Sequence, residues 1–515
     1  MLNSRILRNA KLNKFDLSHV HTSTGDMGFL YPVACVEVLP NDWFRIRDEF
    51  LVRFLALISP TMHMFKVKMH WWFCPTRLVW KNFPSFITGG EKGDDNSVPP
   101  FVIAPEGGFA PGSLMNRLGA PANVGGIKVS AIPPRIYQLI RNEWYRNEWI
   151  QDPVEISMDD GEDTTTILDL QRALWQRDYF TRMLPSPQKG PEVTIPLSSS
   201  APVIGTKAMG LRSVTYPEQK SSMSVLAYPG ANNSVLSAGV GYSVNNPMQL
   251  SDNPDESGVV ADLSGVSGFS INTIRRGGAV QQFQEAAGLF GSRYSEMIPA
   301  QYGVYCPDAS LQRPQYLGGS SAPVMISQVL QTSATDSTSP QGNMAGHGVS
   351  AGLGHEIRFH AREFGFLMCI MSIMPKTAYF QGIPRFMSRE TRYDYGIPLL
   401  AHIGEMAVRN KELYAQGNEE DDKPAGYVPQ YDDYRSIPDQ VSGQMVSTLK
   451  FWTAARQFDS LPQLTSEFIE AHPTDRIFAV DTGVPNSDHL VFQVAHHIKS
   501  LRPLPKQGIP GMHVI

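Results

Sequence analysis

The chain has 515 residues and a formal charge of −5, so it is long enough for a large core but too weakly charged, and of the wrong sign, to condense nucleic acid alone, because counterion release needs clustered Lys and Arg. Cys35, Cys74, Cys306 and Cys369 lie far apart with no Cys-x-x-Cys pair, which excludes a zinc ribbon, a dithiol redox motif and a disulfide framework and reads as reduced, mostly buried thiols. The most apolar run, residues 364–374, is about half of the roughly 20 residues that cross a bilayer, and residues 1–14 lack the apolar segment of a secretory signal, so no membrane insertion is expected.

Strand signals crowd the first ninety residues. Segments 29–39, 43–46 and 50–58 are separated by Pro40-Asn41-Asp42 and Ser59-Pro60 turns. In segment 61–80, Phe65, Val67, Met69, Trp71 and Phe73 alternate with Lys66, Lys68 and His70 until Pro75 stops the ladder; this is a strand with one face buried. A helix is predicted over 133–150, where Pro-Pro precedes Ile136, Leu139 and Ile140 at helical offsets. A second helical segment is predicted over 168–180, then a Pro-rich break at 185–191. Residues 197–270 are rich in Ser, Gly, Asn and Pro and read as a long surface excursion, since they carry too little apolar area to offset backbone ordering.

A helix is predicted again over 271–290, followed by a turn-dense aromatic stretch at 301–319 and a polar loop at 333–354. Residues 357–373 read as one or two strands ending at Pro375, and 399–413 as a helix with Ile403, Met406 and Ala407 on one side. The last strand is placed at 490–494, before a Pro-punctuated tail. Strands at both ends with insertions between them suit a Greek-key or jelly-roll sandwich, and no fixed-period repeat supports a solenoid or propeller.

Several motifs imitate chemistry without its context. Gly348-Val-Ser350-Ala-Gly352, with His355 nearby, matches a nucleophile elbow, but it lacks the strand before and helix after that would hold the serine on a tight turn. His355 and His360 are five apart, whereas a zinc helix needs four to place both on one face. Gly346-x-Gly348-x-x-Ala351 lacks the strand of a dinucleotide fingerprint, and Asp159–Asp163 lacks the ligand alternation of a calcium loop. Solvated turns are expected at both, and His496-His497 is expected to be polar and near the edge of a terminal strand. No catalytic residue, metal site or cofactor is expected. Arg5, Arg8, Lys11 and Lys14, at three-residue spacing, could meet phosphates together.

Widely spaced strings resemble one family. They include Phe15-Asp-Leu-Ser-His19, Gly25-Asp-Met-Gly28, Glu37-Val-Leu-Pro40, Met62-His63, Pro75-Thr-Arg-Leu-Val-Trp80, Phe86-Ile-Thr-Gly-Gly90 and Asn142-Glu-Trp144. Further along are Pro307-Asp-Ala309, Leu311-Gln-Arg-Pro-Gln-Tyr-Leu-Gly-Gly319, Gly346-His-Gly348, Asn410-Lys-Glu-Leu-Tyr414 and Leu501-Arg-Pro-Leu-Pro505. On these the chain resembles the major capsid proteins of microviruses, the small icosahedral single-stranded DNA bacteriophages, and especially the gokushovirus-like branch.

The resemblance implies a mainly β fold, an eight-stranded antiparallel jelly roll spanning residues 1–515, with long loop insertions that contain several helices. It also implies an N-terminal arm over 1–28, a variable surface loop over 197–270 and an extended tail over 495–515. The function implied is structural, not enzymatic: sixty copies would assemble, through five-, three- and two-fold contacts, into a T = 1 icosahedral shell. Implied partners are circular single-stranded DNA, a small basic packaging protein, an internal scaffolding protein and a host surface receptor. The implied location is the virion, assembled in the bacterial cytoplasm, with DNA contact at Arg5, Arg8, Lys11 and Lys14. The alternative reading is a jelly-roll glycan binder or hydrolase using Ser350 and His355.

Overall fold

The computed structural model describes residues 12–191, 193, 203–205, 209–213, 220–223, 248–250, 259–261, 271–291, 293–305, 307–332, 341–479 and 488–507. The chain divides into two units, Met1–Pro187 with Phe290–Ile515, and Gln188–Leu289. The first carries the long strands: β1 (Asn13–Asp16), β2 (His19–Gly25), β3 (Tyr31–Val38), β4 (Trp43–Phe54), β5 (Phe65–Pro75), β6 (Gln315–Pro323), β7 (Met325–Leu330), β8 (Met344–Leu353), β9 (Ile357–His360), β10 (Gly365–Pro375) and β11 (Leu490–Arg502). The larger sheet runs β1-β11-β4-β8-β7, with β2 also on β11 and β9 also on β4; the smaller runs β6-β5-β10-β3. All of these pairs are antiparallel.

The two sheets pack face to face as a β-sandwich. Phe44, Ile46, Phe50, Val52, Phe492, Val494 and Ile498 of the larger sheet share one core with Val67, Met69, Trp71, Leu367, Cys369 and Met371 of the smaller. Burying each large side chain of this kind stabilises the fold by about 1.5–3 kcal/mol relative to leaving it in water. The sheets differ in their outer faces. Residues 43–54 of β4 alternate between exposed and buried almost without a break, so the larger sheet is open to solvent on one side. β10 is buried nearly throughout, because α1 (Ile132–Trp144) covers the other side of the smaller sheet.

Helix α1 begins on Pro133 and Pro134, which suit its first turn since their missing N–H groups would have no partner there. It turns Ile136, Tyr137 and Ile140 onto Trp72, Met368 and Ile370. Arg135 is fully buried on this helix. Its Nε donates to Asp163 Oδ2 at 2.7 Å, and its terminal nitrogens donate to the Val79 and Asp159 carbonyls at 3.0 and 3.1 Å. Burial raises the Asp163 carboxyl, but hydrogen bonds from Thr166 and the Arg135 pair outweigh it and leave the group below its usual range. Asp163 is therefore a structural ion-pair partner, contrary to the solvated turn expected at 159–163.

Other expectations need correction. β4 is one strand, not two. Residues 168–180 form no helix; they run as irregular backbone bridged at Arg172 to Phe29 and at Leu174 to Glu470, with Ala173 and Trp175 buried at two-residue spacing. The predicted 399–413 helix is a short 3-10 turn (Pro398–His402), a strand (Glu405–Arg409) and a single helical turn (Asn410–Leu413). Gly404, at φ 123°, breaks the helix, and Met406 and Val408 alternate inward while the strand pairs with Pro424–Pro429. Residues 344–353 of the expected polar loop are β8. The final strand reaches Arg502, in the interior of its sheet, with His496 fully buried, so that histidine is not at an edge. Within the second unit, short antiparallel pairs join Val203–Gly205 to Val259–Ala261 and Met209–Ser213 to Lys220–Met223 and Met248–Leu250. The helix Ile271–Phe290 agrees with its prediction.

Candidate interaction surfaces

The serine of the elbow-like motif lies in β8, with only 1% of its surface exposed. Its hydroxyl donates to the Pro323 carbonyl at 2.9 Å. Gly352 beside it is a packing glycine, since a Cβ there would lie 2.2 Å from the Phe50 ring. His355 is exposed in the following turn, and His360 stacks on Trp43 at 4.0 Å. Neither meets Ser350 as a base. Burial pushes the Cys35 thiol up to about 12 and the Cys74 and Cys369 thiols further up, which leaves none of them available as a thiolate near neutral pH. Desolvation lowers His70 to about 4, and its Nδ1 lies 2.6 Å from the hydroxyl of Tyr145, the residue that ends α1, a packing contact on β5. Ser350→Ala is expected to cost about 1 kcal/mol, one neutral hydrogen bond, and to leave particle yield unchanged; urea unfolding and electron microscopy check both.

Surfaces able to meet other molecules are more prominent. Between residues 383 and 437, Phe386, Met387, Tyr393, Tyr395, Leu399, Ile403, Tyr434 and Ile437 are all exposed, Leu399 at 86% and Ile437 at 81%. Polar anchors beneath hold these side chains outward. Arg389 donates to Asp433 at 2.6 Å and lies over the Tyr434 and Tyr395 rings. Arg385 donates to Glu412 and to the Ala407 carbonyl, and Tyr431 donates to the Tyr393 carbonyl at 3.1 Å. A cleft of about 430 Å³ opens beside them, lined by Phe180, Tyr379, Ile383, Pro384, Phe386 and Ile437. Apolar and aromatic side chains fixed in water by a rigid underside are what an interface core requires.

A second such surface is the edge strand β7, paired on one side to β8. Met325, Val329 and Leu330 are exposed along it. An apolar edge with no second strand partner among the described residues is a template for another chain unless something covers it. Of the cations predicted to touch DNA, Lys14 is exposed on β1, and Arg5, Arg8 and Lys11 lie outside the described residues. Sequence reading passed over the 383–437 surface because its helix at 399–413 grouped Ile403 with Met406 and Ala407 on one side, whereas Met406 is buried and Ile403 is exposed. The signal present was the density of aromatics and prolines there, too many for a solvated loop.

The profile of a family described as capsid protein (F protein) matches residues 4–512. The chain belongs to this capsid protein family. It is 32% identical to the capsid protein VP1 of Chlamydia phage 1, over 98% of this chain and 96% of that one. It is 30% identical to the VP1 of Bdellovibrio phage phiMH2K, over 97% and 95%, and 28% identical to the VP1 of Spiroplasma virus 4, over 98% and 96%. The resemblance to microvirus capsid proteins is thus established over nearly the full chain, and with it a structural role in the virion. The exposed 383–437 segment and the β7 edge are apolar surfaces of this capsid protein.

Proposed function

We propose that this capsid protein builds a T = 1 icosahedral shell of sixty copies around a circular single-stranded DNA genome and performs no catalysis. The observation that carries the reading is the set of apolar side chains held in water between 383 and 437. A lone soluble chain gains nothing from such exposure, whereas obligate interfaces bury about 2,000–5,000 Å² of mostly apolar area. Closed shells use such patches around every symmetry axis.

Underlying the shell is an eight-stranded jelly roll. Supporting it is the strand order: β2, β11, β4 and β8 in one sheet and β3, β10, β5 and β6 in the other follow from folding a long hairpin across two layers. Residues 197–270 serve as a variable surface loop, 1–28 as an arm and 495–515 as a tail within one capsid domain. Because the chain carries a net charge of −5, neutralising packaged phosphate requires help, supplied by a small basic packaging protein. An internal scaffolding protein guides assembly in the host cytoplasm, and a host receptor is met by the outer surface.

Expression alone and with the neighbouring phage proteins, followed by negative-stain microscopy, tests the reading. Discrete particles of one diameter are expected; a chain that stays monomeric in every combination would overturn it. Neutralising Arg5, Arg8, Lys11 and Lys14 together is expected to lower the DNA recovered per particle, read from the ratio of ultraviolet absorbances at 260 and 280 nm, without changing particle number.

A further inference from the structure

We propose that two copies of this chain join edge to edge through β7, antiparallel about a two-fold axis at Gln328, so that their larger sheets become one; this rests on the shell reading above and names one of its contacts. The backbone sets the register. Gly346 of β8 exchanges both of its hydrogen bonds with Leu57, at 3.1 Å each, and it stands opposite Gln328, so the N–H and C=O of Gln328 point away from β8 toward the free edge. Gln331 exchanges its bonds with the hairpin return at Gly342 and Asn343, which turns Leu330 to the free edge as well, and alternation adds Ile326. These residues offer donors and acceptors sideways, and β7 has no second strand partner among the described residues.

A copy related by two-fold symmetry fits this edge. With the axis at Gln328, Gln328 meets itself and Ile326 meets Leu330 on each side, all of them edge-facing residues, for about six backbone hydrogen bonds between the copies. Moving the axis to Ser327 pairs only Ile326 with Gln328, for about four. Side chains agree with the first register. Ile326, Gln328 and Leu330 lie on the core side of the sheet; Ile326 packs against the main core, while Leu330 is 46% exposed. In the pair, Leu330 of the second copy comes opposite Ile326, above a depression of about 620 Å³ lined by Met62, Met64, Val324, Ile326 and Val441. Met62 and Met64 are 69% and 65% exposed there, and flexible thioethers beside a gap accept an aliphatic side chain without a preset shape.

Charge favours a second copy over a different chain. A two-fold contact sets each charge near the axis against its own sign, which is destabilising across a strand pair. Strand β7 reads Met-Ile-Ser-Gln-Val-Leu, and between Arg313 and Glu356 the only Asp, Glu, Lys or Arg is Asp336. Edge strands that stay single are blunted by a lysine, a proline or an inward-pointing charge; β7 carries none of these. Beside the depression, Lys376 and Asp439 neutralise each other at 2.6 Å.

A cysteine at the axis tests the pairing in particles of full-length protein. In Gln328→Cys the two copies stand opposite each other with Cα atoms about 5.5 Å apart, inside the roughly 4.4–6.8 Å that a disulfide spans, so mild oxidation is expected to turn most copies into covalent dimers on a non-reducing gel. Ser327→Cys, whose copies lie about 8 Å apart across the axis, is expected to stay monomeric, as is the wild type. Gln328→Lys, which sets two ammonium groups against each other, is expected to lower particle yield about tenfold or more and to leave the melting midpoint of the free subunit unchanged. Gln328→Cys particles whose copies stay unlinked overturn the proposal, and so does a dimer from Ser327→Cys alone; a strand of another protein on this edge would give the first of these results. Should the cysteine variants fail to fold, hydrogen exchange of the wild type decides: slower exchange of the 325–330 amides in particles than in free subunits supports the pairing, and equal exchange overturns it. Failure of the shell reading would show separately, as wild-type protein that never forms particles; oxidation of concentrated Gln328→Cys subunits then decides the pairing, dimers supporting it and monomers overturning it.

Discussion

Asp48→Ala is expected to destabilise the subunit by about 3–5 kcal/mol, the range for removing one partner of a buried charged hydrogen-bond network, and to eliminate particle yield. Asp48 occupies an inward position of β4. Its Oδ2 accepts from Trp71 Nε1 at 2.5 Å, and its Oδ1 lies 2.7 Å from His496 Nδ1. The other ring nitrogen of His496 is 3.2 Å from the Val33 carbonyl, and the Trp71 and His496 rings meet edge to face at 5.5 Å. Four strands from both sheets, β3, β4, β5 and β11, thus meet at one carboxylate. Alanine would leave the indole N–H and an imidazole nitrogen without an acceptor in the core, against a total stability of only about 5–15 kcal/mol for a typical domain. Asp48→Asn is expected to cost far less, about 1 kcal/mol, because the new carbonyl can take the Trp71 bond while the amide donates to an unprotonated His496 Nδ1. Urea midpoints of the unassembled protein measure the contrast; equal midpoints for the two variants would end this account of the network.

The same carboxylate explains a misread strand. Alternation in 43–54 is nearly perfect, but Asp48 sits in an inward slot, and an acidic residue there splits one strand into two on the page. Its partner, His496, lies about 450 positions away, so no local window could show the burial of either. β8 was hidden for a related reason. Gly346, Gly348 and Gly352 carry no side chain to alternate, and their inward positions are filled by the side chains of Leu57, Phe54 and Phe50. β5 and the first three turns of α1 were legible because their apolar periods are complete, but the helix predicted to residue 150 stops at Trp144. The doubly covered smaller sheet was half legible: the unbroken apolar run of β10 signals burial on both faces but does not say what covers the second. The exposed apolar surfaces left the faintest trace, since an exposed leucine and a core leucine are the same letter. Only the anchoring of Arg385 and Arg389 beneath separates the outward Leu399 and Ile437 from a packed helix face.

That separation gives the sharpest test of what the exposed segment is for. Leu399→Glu with Ile437→Glu is expected to leave the isolated subunit within about 0.5 kcal/mol of the parent, as for substitutions at exposed positions that touch little. In a closed assembly the outcome reverses. Each glutamate that an interface covers without a cation partner loses its hydration, at a cost of several kcal/mol, and each 1.4 kcal/mol lowers an association constant tenfold. Symmetry repeats that cost in every copy, so the loss compounds over all the contacts that must close. Sedimentation of expressed protein is therefore expected to show soluble subunits with an unchanged melting midpoint and no particles, whereas Leu399→Met with Ile437→Val, which keeps the apolar surface, assembles normally. Wild-type particle yield from the double glutamate variant would mean that this patch stays in water in the finished shell, and that the contacts closing the particle run along other surfaces such as the β7 edge.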